Sequence, residues 1–313
     1  MLAGDGIGPA VIDEALKVLE AVGFDEPLLP LPFGRSAYVT AGETLPMATA
    51  DAIREHGVAL LGAGGTVLEA AEPSSILRLR RELQLDLLER PVWIEGRRLT
   101  LIGHAFEGLY ARRDRRDGER VVHERVIQKA GLDVLFAHAC ARTSGRVTFV
   151  DKPSVFHETR ALIEASAADH GFGTGDFELV NADAFAASVL VDPSRYETVL
   201  ALSFVGDVLS DVLAAVSGGV GSAPSVSLGK GLAVFEPIHG TAPRRAPERP
   251  LCVNPVGAIR AAALCLEHLE RPELARRIHA ALLEPSLPRT RDRGGSATTA
   301  EVGDAIAAAV ARR

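Results

Sequence analysis

The chain has 313 residues, of which 47% are hydrophobic, 24% charged and 5% aromatic. This composition is typical of a globular protein and excludes collagen-like, coiled-coil and intrinsically disordered chains. The formal net charge of −7 disfavours a nucleic-acid-binding protein, because such proteins hold phosphates with an excess of basic side chains.

The cysteines and the apolar runs indicate the compartment. Cys140, Cys252 and Cys265 are widely spaced and form no CxxC pair, which is typical of a protein in a reducing compartment. No uncharged apolar run reaches the length of a membrane span, and the N-terminus lacks the basic start and apolar core of a signal peptide. We therefore expect a cytoplasmic protein that binds neither a membrane nor nucleic acid.

Apolar periodicity predicts strands and helices that alternate along the chain. The predicted strands span residues 1–3, 58–61, 98–102, 146–150, 177–180 and 198–202. The predicted helices span residues 10–22, 50–55, 76–88, 124–143, 156–170, 184–191, 206–215, 257–267, 272–283 and 299–309. Such alternation predicts an α/β fold with a largely parallel sheet covered by helices on both faces. Residues 112–120 (RRDRRDGER) fit either an exposed hairpin arm or a solvated loop.

Two loops have the composition of ligand-binding turns. Residues 4–9 (GDGIGP) join the first strand to the first helix, where glycine permits close backbone approach and the helix N-terminus suits an anion. Taken alone, this motif is not specific, because other tight strand–helix turns resemble it. Residues 236–243 (EPIHGTAP) combine small residues with prolines and are followed by Arg244 and Arg245, which suit a phosphate monoester.

Three polar residues follow apolar strands. Asp207 and Asp211 are four residues apart, so both carboxylates project from one helix face and suit Mg²⁺ or Mn²⁺. A helix cap plus a solvated aspartate explains the pair equally well. Lys152, one of four lysines, ends another strand, where α/β enzymes keep catalytic groups. A solvent-facing salt bridge is the alternative interpretation of this lysine.

Together, these motifs resemble those of the β-decarboxylating dehydrogenases, the family of isocitrate, isopropylmalate, homoisocitrate and tartrate/malate dehydrogenases. The resemblance covers nearly the whole chain and extends to EGLY at residues 107–110, VDK at 150–152 and GDVLSD at 206–211. It implies an isopropylmalate-dehydrogenase-like α/β fold of two domains with a cleft between them.

The resemblance also implies how the domains divide the chain. A large cofactor-binding domain would comprise residues 1–84 and 218–313. A smaller domain, residues 85–217, would carry the dimer interface and substrate contacts, with an exposed arm near residues 111–128.

The implied reaction is oxidative decarboxylation of a 2-hydroxy acid with a carboxylate on the adjacent carbon, in a homodimer with shared active sites. Asp207 and Asp211 would bind Mg²⁺ or Mn²⁺, and Asp183 of a second copy would complete the metal site. Lys152, from the same copy as Asp183, would take part in the proton relay. Tyr110 would protonate the carbon that loses CO₂.

The implied substrate contacts include one clear departure from the family. Arg80 and Arg90 align with two of the three arginines that bind substrate carboxylates, but Gly103 replaces the third. The adjacent His104 fits either a substitute donor or a structural histidine. Ser74 and Ser75 precede Arg80, where the family reads the variable part of the substrate, and they do not distinguish isopropylmalate from isocitrate.

Further departures are Ser154 and Ser203, which replace family asparagines and indicate a divergent paralogue. We expect a 3-substituted malate close to isopropylmalate as the substrate. The alternatives are an isocitrate, homoisocitrate, tartrate or malate dehydrogenase, an enzyme for a phosphonate analogue, or a catalytically silent regulatory paralogue.

The implied cofactor site favours NADP over NAD. Its residues are Ile7, His239, Gly240, Thr241, Ala242, Arg244, Arg245, Asn254 and Arg291. Three arginines suit a 2′-phosphate better than a bare ribose. NAD stays open, because this chain uses arginine at most of its basic positions.

Overall fold

The computed structural model describes residues 1–70, 74–143, 145–243 and 250–313. It divides into two compact units: unit 1, Met1–Leu85 with Gly218–Arg313, and unit 2, Asp86–Ser217. In these described ranges, none of the helices has the length and apolar character that crossing a membrane requires.

The described residues of unit 1 contain four strands, numbered with all other elements in chain order. The strands are β1 (Leu2–Gly4), β2 (Val58–Ala63), β10 (Pro224–Gly229) and β11 (Leu232–Pro237). The helices are α1 (Gly8–Val22), α2 (Arg35–Ala41), α3 (Met47–His56), α4 (Ser75–Glu82), α9 (Val256–His268), α10 (Pro272–Ala281) and α11 (Thr299–Ala311). β1 pairs with β2 and β2 with β11 in parallel, whereas β10 and β11 are antiparallel.

Helix α1 shows how the sequence of unit 1 specifies its elements. Pro9 occupies the first turn, where a missing N–H costs nothing, and Gly23 ends the helix in the left-handed conformation at φ 86°. Between them, residues such as Val11, Ile12 and Val18 recur at helical spacing and are fully buried. One face of α1 therefore packs into the core of unit 1.

Unit 2 holds a five-stranded sheet and a separate two-stranded ribbon. The sheet strands are β3 (Leu87–Ile94), β4 (Arg97–His104), β7 (Val147–Asp151), β8 (Phe177–Asn181) and β9 (Thr198–Leu202), and the ribbon strands are β5 (Gly108–Asp117) and β6 (Arg120–Val126). The helices are α5 (Lys129–Arg142), α6 (His157–Asp169), α7 (Ala182–Val191) and α8 (Ser203–Val216). The order is β3-β4-β9-β7-β8, antiparallel only between β3 and β4.

The sheet of unit 2 sets the edge at which polar residues gather. β7 and β9 are buried along their whole length, as expected for strands covered on both faces. Because β4, β9, β7 and β8 run in parallel, their carboxyl ends lie at one edge of the sheet. α/β proteins keep their ligand sites at such an edge.

The predicted α/β fold is confirmed, and residues 112–120 form the turn region of the β5–β6 hairpin. Two predicted helices were wrong in part. The helix predicted over residues 76–88 ends at Glu82, because Gln84 adopts φ 52° and the following residues pair with β4 as β3. The helix predicted over residues 124–143 begins only at Lys129, because Glu124 is paired in the ribbon.

Candidate active site

A tight turn into α8 lies at the carboxyl end of β9, at the edge of the unit 2 sheet where polar residues gather. The buried strand β9 ends at Leu202, and Ser203 turns the chain into the helix with a positive φ of 31°. Gly108 lies against this turn, and a Cβ on it would be 2.5 Å from Ser203 Oγ. The glycine of the EGLY motif is therefore required for this close approach.

Asp207 on α8 joins Arg90 and Tyr110 in one cluster. Arg90 Nη1 on β3 donates to Asp207 Oδ1 at 2.9 Å, and the Tyr110 hydroxyl on β5 donates to Asp207 Oδ2 at 3.0 Å. Arg90 Nη1 also donates to Ser210 Oγ. The Nε of Arg90 is buried and has no hydrogen-bond partner among the described residues. A buried guanidinium donor of this kind suits an anionic ligand.

Asp211 lies one helical turn beyond Asp207. Loss of solvent around its carboxyl group raises the pKa of Asp211, the charge of Asp207 raises it further, and Arg90 acts in the opposite direction. Two carboxylates on adjacent turns repel each other, and a cation between them removes that repulsion.

Lys152 and Asp183 form a second cluster in unit 2. Lys152 follows β7 and Asp183 lies in the first turn of α7, directly after β8. The two strands are parallel with Asp151 opposite Asn181, so the residues that follow them meet at the same edge. Lys152 Nζ lies 2.5 Å from Asp183 Oδ1 and lowers the pKa of that carboxyl group.

The carboxylates of Asp207 and Asp211 are of the type that binds a divalent cation. Asp207 and Asp211 supply hard oxygen donors, as Mg²⁺ and Mn²⁺ prefer. Within the part of the chain that the structure describes, no group of three or more His, Cys, Asp or Glu side chains is placed to hold a metal ion. The predicted third ligand, Asp183, belongs in the family pattern to a second copy, so one chain is expected to bring only two.

In unit 1, Arg80 is held in a buried ion pair. Its Nη2 donates to Glu236 Oε1 on β11 at 2.9 Å, and its Nε donates to Ser227 Oγ on β10 at 3.1 Å. Arg80 and Glu236 are only 8% and 6% exposed. These contacts fix the direction of the guanidinium group.

The remaining predicted substrate residues serve the local fold. Ser74 caps α4 by accepting from Leu77 N at 3.4 Å, and the buried Ser75 donates to the carbonyl of Gly65 at 2.6 Å. His104 is buried and accepts from Phe106 N through Nδ1. Burial lowers the pKa of His104, with smaller opposing effects from nearby carboxylates, so the neutral ring is favoured. A structural histidine is the interpretation that these contacts favour.

Gly103 lies buried on β4. A Cβ there would lie 3.1 Å from the carbonyl oxygen of Ala201 on the neighbouring strand, closer than ordinary van der Waals contact. Apart from the two chain neighbours of Gly103, no other described residue comes within 4 Å of that Cβ position.

A cavity of about 290 Å³ in unit 1 contains five of the predicted cofactor residues, Ile7, His239, Ala242, Asn254 and Arg291. His239 Nδ1 lies 2.9 Å from the carbonyl of Gly240, whereas Nε2 is buried without a hydrogen-bond partner among the described residues. Burial lowers the pKa of His239, which favours a neutral ring. With Nδ1 protonated, Nε2 is an acceptor suited to an amino group of a ligand in the cavity.

The GDGIGP turn is tied to the same loop. Ile7 N donates to the carbonyl of Thr241 at 3.0 Å. Gly6 has φ 59°, and a Cβ on it would be 2.1 Å from that carbonyl oxygen. The predicted Arg244 and Arg245 lie outside the described residues.

Three further residues, which the sequence analysis did not identify, contact the predicted site residues. Ser210 accepts from Arg90, Glu236 holds Arg80, and Asp292 accepts from Asn254 Nδ2 at 3.0 Å within the cavity. Ser210 lies in the GDVLSD motif and Glu236 in the EPIHGTAP motif, so their positions in these motifs could have identified them. Asp292 follows Arg291 but belongs to no motif that the sequence analysis identified.

Comparisons with known proteins agree with this arrangement. A sequence model of the isocitrate/isopropylmalate dehydrogenase family matches residues 1–306. The 3-isopropylmalate dehydrogenase of Deinococcus radiodurans is 33% identical, over 95% of this chain and 93% of that protein. The isocitrate/homoisocitrate dehydrogenase of Thermus thermophilus is 32% identical, over 99% and 97%.

Solved structures give the same result. An isocitrate dehydrogenase from Methylococcus capsulatus has a TM-score of 0.88 at 29% identity, over 99% of this chain and 98% of that chain. A β-decarboxylating dehydrogenase from Thermococcus kodakarensis has a TM-score of 0.85 at 30% identity, over 99% and 94%. The resemblance in the sequence is therefore confirmed: the chain belongs to the isocitrate/isopropylmalate dehydrogenase family and is an NAD(P)-dependent β-decarboxylating dehydrogenase.

Proposed function

We propose that this enzyme oxidises and decarboxylates a 3-substituted malate close to isopropylmalate, with Mg²⁺ or Mn²⁺ and with NADP in preference to NAD. The observation that carries the proposal is the cluster of Arg90, Tyr110 and Asp207, with Asp211 one turn away. It combines a carboxylate-binding arginine, a phenolic acid and two cation ligands in one unit.

Each residue has a distinct part in the reaction. Arg90 binds a substrate carboxylate through its guanidinium, for which the unpaired Nε is the available donor. Lys152 Nζ of the second copy accepts and returns the proton of the substrate hydroxyl, and the Tyr110 hydroxyl gives a proton to the carbon that loses CO₂. Asp207, Asp211 and a second copy's Asp183 would hold the divalent cation, which would supply Lewis-acid stabilisation of negative charge on oxygen.

The choice of an isopropylmalate-like substrate is supported by similarity. The 3-isopropylmalate dehydrogenase of Deinococcus radiodurans is 33% identical to this chain. Arg80 and Arg90 provide two guanidinium groups for the two carboxylates of a 3-substituted malate. Gly103 replaces the third arginine of the family, which serves isopropylmalate and isocitrate alike, so this glycine does not itself distinguish the two substrates.

The preference for NADP rests on basic residues near the unit 1 cavity. Arg291 lines this cavity, and Arg244 and Arg245 follow its Ala242 in the sequence. Guanidinium groups bind a 2′-phosphate with paired hydrogen bonds. Arg291→Gln should therefore lower kcat/KM with NADP by at least about tenfold and leave the value with NAD nearly unchanged.

The shared active site requires a homodimer, which the exposed apolar side chains of α7 and α8 support. Leu190, Val191, Phe204 and Val208 are 60%, 87%, 55% and 50% exposed. Large apolar side chains exposed on helices are typical of an interface. We propose that a second copy of the chain covers these exposed side chains. Val191→Glu should then convert the dimer to monomers, as measured by sedimentation velocity, and abolish turnover.

The reaction is tested by following nicotinamide reduction at about 340 nm with NADP or NAD, Mg²⁺ or Mn²⁺, and a panel of hydroxy acids. The panel comprises isopropylmalate, isocitrate, homoisocitrate, tartrate and malate. Turnover of isopropylmalate that EDTA abolishes and added Mg²⁺ restores is the expected result. Faster turnover of isocitrate or homoisocitrate would overturn the proposed substrate, and turnover that persists in EDTA would overturn the metal assignment.

A further inference from the structure

Arg125 contacts the polypeptide on both sides of Lys152. It lies near the end of β6, and its Nη2 donates to Asp151 Oδ1 at 2.7 Å. Its guanidinium carbon lies 5.0 Å from the centre of the Phe156 ring, at cation–π distance. Asp151 directly precedes Lys152, and Phe156 follows it by four residues.

The backbone between these two contacts forms a closed turn. The carbonyl of Lys152 accepts from Val155 N at 2.9 Å and from Phe156 N at 3.0 Å. A side chain that holds Asp151 and Phe156 therefore holds both ends of the turn that carries Lys152. The Nζ of Lys152 projects from this turn to Asp183, 2.5 Å away.

The ion pair of Arg125 and Asp151 is largely removed from water. The Asp151 side chain is 3% exposed and that of Arg125 is 20% exposed. A buried carboxylate requires a paired cation, so loss of Arg125 leaves an uncompensated charge one residue from Lys152. Arg125 Nη1 is also buried and has no hydrogen-bond partner among the described residues.

We infer that Arg125 is a positioning residue for Lys152, which it holds in place through Asp151 and the ring of Phe156. This inference rests on the proposed role of Lys152 as the proton-relay residue. Displacing a reacting group by about 1 Å costs on the order of 100-fold in rate without a matching loss of substrate binding. Loss of Arg125 therefore lowers kcat and leaves the KM of the hydroxy acid nearly unchanged.

The test compares Arg125→Met with Arg125→Lys and a matched control, Arg195→Met. Arg195 also stacks on an aromatic ring, Tyr196 at 5.7 Å, and also lies near a carboxylate, Glu178 at 3.8 Å. Arg195 precedes β9, whereas Lys152 follows the parallel strand β7, so the two lie at opposite edges of the sheet. We expect Arg125→Met to lower kcat about 30- to 100-fold with KM changed less than about threefold. Arg125→Lys should recover part of kcat, and Arg195→Met should retain it.

Chemical rescue separates positioning from a general loss of stability. Guanidinium ion at millimolar concentration should restore part of kcat in Arg125→Ala and should not affect Arg195→Met. If the Arg125 variants do not fold, Phe156→Leu removes only the ring contact and should lower kcat about three- to tenfold at unchanged thermal stability.

Two results would overturn the inference: Arg125→Met with the kcat of the wild type, or Phe156→Leu with unaltered kcat in a folded protein. Lys152→Met separately tests the proposed function. If Lys152→Met retains turnover, the role of Lys152 is wrong, whatever Arg125 does.

Discussion

Arg90 donates from Nη1 to Oδ1 of Asp207 at 2.9 Å, which joins a proposed substrate-binding arginine directly to a proposed metal ligand. The Arg90 side chain is 11% exposed and that of Asp207 is 50% exposed, so the carboxylate is the member of the pair that a cation can reach. A cation bound to Asp207 withdraws electron density from this hydrogen bond. We therefore expect metal binding and the orientation of Arg90 to be coupled.

Asp207→Asn should remove a cation ligand while keeping the shape of the side chain. Because even residues that only orient a metal ligand contribute 10- to 100-fold, we expect kcat/KM and Mn²⁺ affinity to fall by more than about 100-fold. Mn²⁺ titration followed by electron paramagnetic resonance measures the affinity. Asp192→Asn, at an exposed aspartate that caps a short 3₁₀ helix, is the control and should bind Mn²⁺ normally. Unchanged Mn²⁺ affinity in Asp207→Asn would exclude Asp207 from the metal site.

Tyr110→Phe should separate the protonation step from substrate binding. The Tyr110 hydroxyl donates to Asp207 at 3.0 Å, and its loss removes the proposed acid without enlarging the site. We expect kcat to fall by about 10²- to 10⁴-fold, with the KM of the hydroxy acid little changed. Tyr38→Phe, which removes a hydroxyl bonded to the Glu69 carbonyl at 3.1 Å, is the matched control. A Tyr110→Phe enzyme with wild-type kcat would show that another group delivers the proton.

Much of the fold followed from periodicity, because long amphipathic helices and fully buried strands leave a strong pattern. The predicted strand over residues 198–202 has the observed bounds of β9. The errors lie where local pattern and tertiary pairing disagree. Residues 83–88 look helical in sequence, but the left-handed Gln84 and the pairing of β3 with β4 determine their structure.

The candidate site was predictable residue by residue, but its contacts were not. Residue spacing indicated Asp207, and the family resemblance indicated Arg90 and Tyr110, whereas their mutual hydrogen bonds depend on how β3, β5 and α8 pack. The partner of Arg80 could not be inferred, because Glu236 lies 156 positions further along the chain. Long-range side-chain pairing of this kind leaves no periodic signal in a single sequence.

The buried pair of Arg80 and Glu236 makes a prediction about stability. Glu236→Ala should destabilise the enzyme by about 3–5 kcal/mol, because it leaves the Arg80 guanidinium buried without its carboxylate. The double variant Arg80→Met with Glu236→Met should lose less, since no unpaired charge stays in the core. Urea unfolding of Arg80→Met, Glu236→Met and their double variant measures the coupling free energy. Additive losses would mean that the two side chains do not stabilise each other.

A second buried carboxylate, Glu89, links β3 to α5 and makes stability depend on pH. Glu89 Oε1 lies 2.5 Å from His138 Nε2 and accepts from Arg142 Nε at 2.8 Å. Burial opposes its ionisation, but the hydrogen bond with His138 and the charge of Arg142 outweigh burial, so the pKa of Glu89 lies below its ordinary value of 4.5. The folded state therefore favours the ionised form.

A lowered pKa stabilises the folded state at a pH above the unfolded value, and this stabilisation is lost as the pH falls through the folded pKa. Glu89→Gln should lower the unfolding free energy by about 3 kcal/mol at neutral pH, because Arg142 and His138 lose their carboxylate. The difference from the wild type should shrink as the pH falls below 4.5 and through the lowered pKa of Glu89, where Glu89 itself becomes protonated. Glu164→Gln, which breaks a half-exposed pair with Arg160, is the control and should change stability by less than about 0.5 kcal/mol at any pH. Urea unfolding across this pH range measures the difference in unfolding free energy between Glu89→Gln and the wild type. A difference that does not change with pH would show that ionised Glu89 does not stabilise the fold.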